Sequence, residues 1–469
     1  MKSFVGKLAA WPSIAVFTLF FPAVSLAQTP QPFLQDIQIH RESGPAPSGT
    51  PLIKKTASSA PLSAAGEPGT SSIRSSYPAL AAVPIPGYSG VLVESLDGDV
   101  IVENLQHSAF NPASNVKLAT AFAVLKTFGP EYRFITSVWT DGSYEEATGT
   151  IHGNIYVSGR DPVFGYENGV TLASELNRMG IRNVKGDLIV TDNFSMNYSN
   201  SASRSGHLLF STIDAAKRSR SATNAWTSFL INSGRFKPDM PVPSVAFTGS
   251  AHVQPMPGNV NLLFKHESAR MRDILKATLC YSNNFLAERL GEMVGGPWAV
   301  SRLVHQYAGV EPNEFSLQTS SGLGINRVTP HAMMRLLRVL RNELAVNKLR
   351  FADIMPVAGV DKGTLENRFD SDFAMASVVG KTGTLRRTDG GVSALAGELN
   401  TRSGRFLFVI FNQRGGVSRF RSFQNSYVSL IQSQFGGPAA LEYDEIPMNA
   451  RLAKTRISYP EGARMGSDD

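Results

Sequence analysis

The chain contains 469 residues, with 45 Lys and Arg against 38 Asp and Glu, and it has a single cysteine. At roughly 150 residues per domain, this length predicts two or three domains with a substantial core. Because Cys280 is the only cysteine, the chain excludes an intramolecular disulfide framework and any cysteine-based zinc or iron–sulfur site. The HExxH, GxxxxGK(S/T) and GxGxxG patterns do not occur, so nothing indicates a metalloprotease, a P-loop or a dinucleotide-binding fold.

The charged residues and histidines also narrow the range of partners. The eight histidines are scattered without ligand spacing, so we expect no metal site and no cofactor. The formal charge of +7 favours contact with anionic surfaces such as a cell wall or lipid headgroups. The basic run at 217–220 has no interleaved aromatic residues, which argues against a nucleic-acid partner.

Both ends of the chain have the composition of segments outside a folded core. Residues 1–27 combine a basic start, an apolar stretch and small residues at the end, which predicts a signal peptide and an exported, periplasmic or envelope-associated protein. An uncleaved membrane anchor is the alternative. Residues 28–86 are rich in Pro, Ser, Ala and Gly and predict a flexible linker, and residues 437–469 predict a flexible tail.

Hydrophobic periodicity and turn residues predict the elements between these two segments. In chain order, we expect strands at 88–94 and 99–103, a helix at 112–126, strands at 134–140 and 150–158, a helix at 170–179, a strand at 185–191, a polar stretch without pattern at 195–240, helical segments at 268–294 and 329–345, strands at 375–381, 392–399 and 405–412, and a helix near 418–434. This order predicts one sheet built from both ends of the body, with a segment inserted in the middle.

The first candidate catalytic motif is Ser114-Asn115-Val116-Lys117, at the start of the first long helix. Two side chains three residues apart lie on one helix face, so Ser114 and Lys117 can contact each other. A serine there lies beside backbone N–H groups and the positive end of the helix dipole, which favour an oxyanion. A neutral lysine amine can act as general base for such a serine. By itself, the S-x-x-K pattern is weak evidence, because a chain of this length contains about one by chance.

The second motif, Lys381-Thr382-Gly383-Thr384, follows the apolar run at 376–379 and therefore lies on a strand. A strand edge offers backbone N–H and C=O groups to an extended peptide, and Gly383 would let that peptide approach closely. Lys381 would supply a second positive charge near the first motif. The alternative is an ordinary strand that ends in a turn.

The third motif has two candidates with S-x-N spacing. These are Ser282-Asn283-Asn284, within the helical stretch, and Ser195-Met196-Asn197, within the polar stretch. Spacing does not distinguish them, but helices on both sides of Ser282 could fix it in a cleft. A serine and an amide beside a Ser–Lys pair could relay a proton and hold a substrate carbonyl.

The ordered triple S-x-x-K, S-x-N and K-T-G is the signature of serine penicillin-recognising enzymes. More specifically, the chain resembles the D-alanyl-D-alanine carboxypeptidase/endopeptidase family that includes penicillin-binding protein 4. The resemblance covers about residues 87–436 and is carried by the blocks Asn111 to Ser114, Tyr281 to Glu288, Ser321 to Leu323, Asn326 to Pro330, Met355 to Val360 and Gly380 to Leu385.

The resemblance implies an α/β (α+β) fold with two domains. A β-lactamase/transpeptidase-like catalytic domain would comprise residues 87–143 and 260–436, and a β-rich domain would be inserted at 144–259. The 168 residues from Ser114 to Ser282 suit this family, because ordinary class A β-lactamases lack room for such an insert.

The resemblance also implies roles for the motif residues. Ser114 would be the acylated nucleophile, Lys117 its base, and Ser282 the group that passes a proton to the departing D-alanine. Asn284 would bind the substrate amide, Lys381 would support the electrostatic field, and Thr382 and Thr384 would hold the terminal carboxylate beside Gly383. Backbone N–H groups of Ser114 and Thr384 would form the oxyanion hole.

Two features bear on the substrate side chain. Asp161 matches a family acidic position that reaches toward the substrate's side-chain amine, and its alternative role is to open a turn before Pro162. The arginine usual in this family after a Ser-Gly-Leu-Ser block is absent, since Gly324-Ile325 follows Leu323 here. Arg327 is a candidate substitute.

The sequence therefore predicts an exported serine peptidase that acts on peptidoglycan stem peptides or cross-links and is inhibited by β-lactams. A β-lactamase and a non-catalytic wall-binding or sensor protein are the alternatives.

Overall fold

The structure is a computed structural model that describes residues 73–461. The predicted leader, most of the predicted linker and residues 462–469 lie outside this range. Within residues 73–461, no helix has the length and apolar character needed to cross a membrane.

Seventeen strands and eleven α-helices make up the described chain. In chain order, the strands are β1 (Tyr88–Ser95), β2 (Val100–Asn104), β3 (Ile135–Thr140), β4 (Ser143–Glu145), β5 (Thr150–His152), β6 (Ile155–Gly159), β7 (Asn183–Val184), β8 (Leu188–Val190), β9 (Ala246–Phe247), β10 (Ala251–Val253), β11 (Asn261–Glu267), β12 (Phe315–Ser316), β13 (Arg327–Val328), β14 (Val378–Leu385), β15 (Val392–Thr401), β16 (Gly404–Gln413) and β17 (Arg456–Ser458). The helices are α1 (Pro78–Ala81), α2 (Val116–Phe128), α3 (Tyr166–Arg178), α4 (Ala202–Ile213), α5 (Arg220–Asn232), α6 (Met271–Cys280), α7 (Asn284–Met293), α8 (Gly296–Ala308), α9 (Pro330–Val346), α10 (Val417–Gln434) and α11 (Met448–Leu452). Short 3-10 turns lie at Ala113–Asn115, Phe351–Asp353 and Thr388–Gly390.

The central sheet has the order β14-β15-β16-β1-β2, with every neighbouring pair antiparallel. Strands from both ends of the body therefore share one sheet, as the order of elements predicts. Alternate residues of β16 contribute to two different cores. Leu407, Val409 and Phe411 pack with α2 and α9, and Phe406, Phe408 and Ile410 pack with α10. The catalytic part is thus a sheet covered by helices on both faces.

A six-stranded sheet of order β10-β8-β6-β3-β11-β17 forms the second part, with its own core. Because β3 and β11 pair with each other, the chain enters this part near residue 134 and leaves it near residue 268. The predicted boundaries at 144 and 259 are therefore too narrow. Periodicity identifies a strand, but the sheet that the strand joins is decided by pairing between distant segments.

The polar stretch at 195–240 contains α4 and α5, which the sequence prediction misses, so the insert has helices as well as strands. Each helix begins at a serine cap: Ser201 accepts a hydrogen bond from the Arg204 N–H group, and Ser219 accepts one from the Ala222 N–H group. Five of the twelve residues of α4 and three of the thirteen residues of α5 are buried, so each helix packs by one face only.

The segment from residue 437 to residue 461 is folded onto the body, so the prediction of a flexible tail is wrong there. Strand β17 pairs with β11, and the Tyr443 hydroxyl donates to Asp361 Oδ1 at 2.7 Å. At the other end, the backbone of Arg74 pairs with that of Glu103, and Leu80 is fully buried. The folded body therefore begins before the predicted end of the linker at residue 86.

Candidate active site

The nucleophile candidate lies in a tight turn directly before α2. Ser114 is the middle residue of the 3-10 turn Ala113–Asn115, and Ala113 has a φ of 47°. The Asn111 side chain accepts a hydrogen bond from the Ala113 N–H group at 3.1 Å and helps to hold this conformation. Ser114 is only partly buried, so its hydroxyl faces the cleft while the helix beneath it is in the core.

Neighbouring segments approach this turn closely. A Cβ atom at Gly322, whose φ is +90°, would lie 2.0 Å from the Ala113 carbonyl oxygen. A Cβ atom at Gly383 would lie 2.7 Å from the Pro112 carbonyl oxygen. Gly383 therefore makes room for the turn that carries the nucleophile. Its predicted role in letting substrate approach closely stays a prediction.

Lys117 lies one turn along α2 and is 1% exposed. Its Nζ atom lies 3.1 Å from Ser114 Oγ, and it donates to Asn284 Oδ1 at 2.6 Å and to the Ser321 carbonyl oxygen at 2.7 Å. A neutral amine has two N–H bonds and one lone pair. In the neutral form that a general base requires, the two N–H groups can donate to Asn284 and Ser321 while the lone pair accepts from the Ser114 hydroxyl.

The S-x-N and K-T-G motifs contact each other opposite the Ser114–Lys117 pair. The predicted helical stretch at 268–294 is broken between α6 and α7, and Ser282 lies in the break with a φ of 54°. Lys381, on β14, is fully buried, and its Nζ atom donates to Ser282 Oγ at 2.9 Å. The structure thus joins Ser282 to Lys381, whereas Ser195 Oγ donates to the Ser199 carbonyl oxygen in the insert.

A cleft of about 540 Å³ connects these groups. Its lining residues are Ser114, Tyr281, Ser282, Gly363, Thr364, Asn367, Arg368, Thr382, Thr384, Arg421 and Asn425. Two of them are cationic, and none is an Asp or a Glu. The cleft between Ser114 and the Thr382/Thr384 edge of β14 is therefore suited to a substrate with a negatively charged end.

Comparisons with known proteins agree with this geometry. A model of the D-Ala-D-Ala carboxypeptidase 3 (S13) family matches residues 81–206 and 233–432, which is more than half of the chain. The chain belongs to the S13 family. The match leaves out residues 207–232, which contain most of α4 and all of α5.

Individual relatives of this S13 chain are distant. It is 32% identical to a D-alanyl-D-alanine carboxypeptidase of Haemophilus influenzae, over 36% of this chain and 36% of that protein's length. It is 26% identical to a D-alanyl-D-alanine carboxypeptidase of an Actinomadura species, over 80% of this chain and 83% of that protein.

Solved structures support the fold. A predatory peptidoglycan endopeptidase from Bdellovibrio bacteriovorus matches with a TM-score of 0.66 at 20% identity, over 80% of this chain and 100% of that one. Penicillin binding protein 4 from Haemophilus influenzae matches with a TM-score of 0.55 at 20% identity, over 76% and 98%. The expected transpeptidase-like fold with a second domain is confirmed.

The structure does not place Asp161 among the residues that line this S13 cleft. Asp161 follows β6 in the insert, is 2% exposed, and its Oδ1 accepts a hydrogen bond from the Val163 N–H group at 2.9 Å. Its Oδ2 is buried and has no hydrogen-bond partner within residues 73–461. Burial raises the pKa of Asp161 to about 7, and the negative charge of Glu167 adds to the increase. A role for Asp161 in binding a substrate amine stays a prediction.

The arginine proposed as a substitute for the missing family residue is bound elsewhere. The Arg327 guanidinium forms a two-point ion pair with Asp389, with N–O distances of 2.7 and 3.1 Å, and the Asn111 side chain donates to the same carboxylate. Through Asp389, Arg327 therefore helps to hold Asn111, which lies in the segment that leads to the nucleophile.

The two cationic residues of the cleft were missed by sequence reasoning. Arg421, on α10, donates to Thr384 Oγ1 at 3.0 Å. Arg368 donates to Asn425 Oδ1 at 2.8 Å, and burial lowers its pKa to about 10, with the Arg421 charge adding to the effect. An arginine outside a recognised motif is usually a solvated surface residue, so no local signal marks Arg421 on α10 or Arg368 in the loop before β14.

Proposed function

We propose that this chain is a serine D-alanyl-D-alanine carboxypeptidase/endopeptidase that hydrolyses peptidoglycan stem peptides or their cross-links through an acyl-enzyme on Ser114. The observation that carries the proposal is the contact of Lys117 Nζ with Ser114 Oγ at 3.1 Å, in a site whose opposite wall joins Ser282 to Lys381 at 2.9 Å. Family membership supports the same chemistry, because relatives of the S13 family are D-alanyl-D-alanine carboxypeptidases by name.

In the acylation step, Lys117 takes the Ser114 proton while the serine oxygen attacks the carbonyl carbon of the penultimate D-alanine. The tetrahedral oxyanion would be held by the backbone N–H groups of Ser114 and Thr384, at about 3–4 kcal/mol per donor. Ser282, held by Lys381, then delivers its proton to the departing amine, and the proton taken up by Lys117 replaces it, so that both groups return to their starting states. The products are a Ser114 ester and a free D-alanine or a released cross-linked strand.

In the deacylation step, water attacks the ester carbonyl, and the proton that water loses returns through the same amine and hydroxyl groups. The Ser114 oxygen is the leaving group and recovers its proton. Asn284 supports both steps, because its side chain holds Lys117 and begins α7 beside the cleft.

The cationic side of the cleft supports a preference for peptides with a free terminal carboxylate. The Thr384 hydroxyl, in contact with Arg421, can donate to such a carboxylate, while the guanidinium supplies positive charge. The lack of an Asp or Glu among the lining residues favours a peptidase over a β-lactamase, because class A β-lactamases use a glutamate and a water to deacylate.

The predicted leader supports an exported enzyme in the periplasm or cell envelope, where peptidoglycan is found. β-Lactams are proposed as inhibitors that acylate the same serine. One Bdellovibrio endopeptidase of this fold has been solved acylated by penicillin G, and the Haemophilus penicillin binding protein 4 has been solved complexed with a β-lactam.

The test compares the intact protein, Ser114→Ala and Ser195→Ala, the last being the control in the second S-x-N motif. Each is incubated with a pentapeptide, with cross-linked muropeptides and with a fluorescent penicillin, and products are identified by mass spectrometry. We expect Ser114→Ala to lose both peptide cleavage and covalent labelling, while Ser195→Ala keeps both. Rapid penicillin turnover without peptide cleavage would indicate a β-lactamase, and unchanged cleavage by Ser114→Ala would contradict the proposal.

A further inference from the structure

Two histidines and a glutamate that are far apart in sequence converge at one edge of the catalytic part. His107 lies in the connection after β2, Glu314 immediately before β12, and His331 in the first turn of α9. His107 Nδ1 lies 3.2 Å and His331 Nδ1 lies 3.1 Å from the same oxygen, Glu314 Oε1. The two imidazole ring centres are 4.8 Å apart.

Backbone hydrogen bonds fix the three segments relative to one another. The His331 N–H group donates to the Gln106 carbonyl oxygen at 2.9 Å, and the Thr329 N–H group donates to the Glu314 carbonyl oxygen at 2.9 Å. Phe110 and Val328 exchange two further backbone hydrogen bonds, at 3.0 and 2.9 Å. The side chains therefore extend from a preorganised frame, and little chain ordering is needed to bring them together.

The donor set is one that divalent transition metals prefer. Two imidazole nitrogens and one carboxylate oxygen are ligands for zinc, and sites with three protein ligands take water in the fourth position. One ligand atom from each residue lies within 4.8 Å of the others. At zinc–ligand distances of about 2.0–2.2 Å, tetrahedral ligands lie about 3.4 Å apart, so the two nitrogen–oxygen distances already fit.

The remaining adjustment is small and falls on the most exposed of the three side chains. The His107 side chain is 64% exposed, against 32% for His331 and 17% for Glu314. His107 can therefore rotate inward while the other two stay in place. The Glu314 carboxylate, in contact with both imidazoles, supplies the negative charge that a bound cation needs.

We propose that His107, Glu314 and His331 form a surface binding site for a divalent transition metal of the zinc class. An ion there joins the segment after β2 to the start of α9. Since residues 105–113 lead directly to Ser114, the site would act as a clamp on the segment that positions the nucleophile. It is separate from the catalytic cleft, whose lining contains none of the three residues.

Tag-free full-length protein, stripped with a chelator and returned to neutral buffer, is titrated with zinc chloride by calorimetry. The variants are His107→Gln, His331→Gln and the control His152→Gln. His152 pairs with a single glutamate, Glu145, at 3.0 Å and belongs to no three-residue cluster within residues 73–461. We expect one equivalent of zinc to bind the intact protein and His152→Gln equally, and each of the other variants to bind at least about 10-fold more weakly.

Hydrogen exchange at the amides of residues 105–110 provides a second measurement that does not depend on catalysis. Zinc should slow exchange there in the intact protein and in His152→Gln, and leave it unchanged in His331→Gln. Absence of saturable zinc binding, or zinc binding that His107→Gln and His331→Gln both retain, would overturn the proposal. Since all three variants change partly exposed side chains, their folding is verified by circular dichroism before titration.

Discussion

Gly383 provides a sharp test of how the nucleophile is positioned. A methyl group at this position would lie 2.7 Å from the Pro112 carbonyl oxygen and 3.0 Å from the Cβ atoms of Ala113 and Ala394. Pro112 and Ala113 directly precede Ser114, and Ala394 belongs to the neighbouring strand β15. The substitution Gly383→Ala therefore pushes the nucleophile's turn away from β14.

The size of the effect follows from the contact distance. The 2.7 Å contact is about 0.7 Å shorter than the 3.4 Å at which ordinary van der Waals contact begins, and backbone atoms lie on the opposing side. Overpacking of this kind lowers the free energy of unfolding by about 1–3 kcal/mol. Because a displacement near 1 Å can lower a rate about 100-fold, we expect acylation of Ser114 to slow by about 10- to 100-fold.

The assay measures the rate of labelling by a fluorescent penicillin, together with unfolding in urea. The matched control is Gly380→Ala on the same strand, where the nearest atom is the Ala396 carbonyl oxygen at 3.1 Å and the next atoms are at 3.7 Å. Gly380→Ala should change both quantities less than Gly383→Ala does. A Gly383→Ala enzyme with unchanged stability and an unchanged labelling rate at saturating penicillin would show that the turn is not displaced, and would refute the reasoning.

Three further predictions concern charged groups. Lys276→Met should lower the free energy of unfolding by about 3–5 kcal/mol, because it leaves the buried Asp361 carboxylate, 2.6 Å from Lys276 Nζ, without its cationic partner. Lys362→Met, which breaks an exposed pair with Glu366, should lower it much less in urea unfolding. Because burial raises the pKa of Asp161 to about 7 from an ordinary 3.8, its protonated form favours folding, and stability should fall as pH rises from about 4 to 7. Asp161→Asn should weaken this decline in urea unfolding between pH 4 and 8, and an unchanged slope would contradict the assignment. Arg421→Gln should raise KM by about 3- to 10-fold for a peptide with a free terminal carboxylate but not for its amide, and equal effects on both would exclude a carboxylate contact.

The sequence alone determines the chemistry that this chain carries. Ser114 and Lys117 share a helix face because of their three-residue spacing, and the structure brings them to 3.1 Å. The segment at 405–412 is predicted as a strand, and in β16 its continuous apolar run from Phe406 to Phe411 is buried on both faces. These features depend on local spacing, which helix and strand geometry converts directly into position.

Tertiary structure decides which of these local features meet. The pairing of β3 with β11 makes the insert larger than predicted, and the pairing of β17 with β11 adds the C-terminal segment to it. Nothing in the local sequence of these strands indicates which strand each will pair with. Packing also places Gly383 against the turn that carries the nucleophile, a contact that its position on a strand does not predict.

The same reason explains the residues that sequence reasoning could not find. Arg421 reaches Thr384 across 37 positions, and His107 approaches His331 across more than 200. For such pairs, the spacing in sequence does not predict the distance in space, because that distance is set by how sheets and helices pack. Local periodicity therefore determines the elements and the principal motifs, while the boundaries of the insert, the cationic side of the cleft and the histidine cluster are decided by long-range pairing and packing.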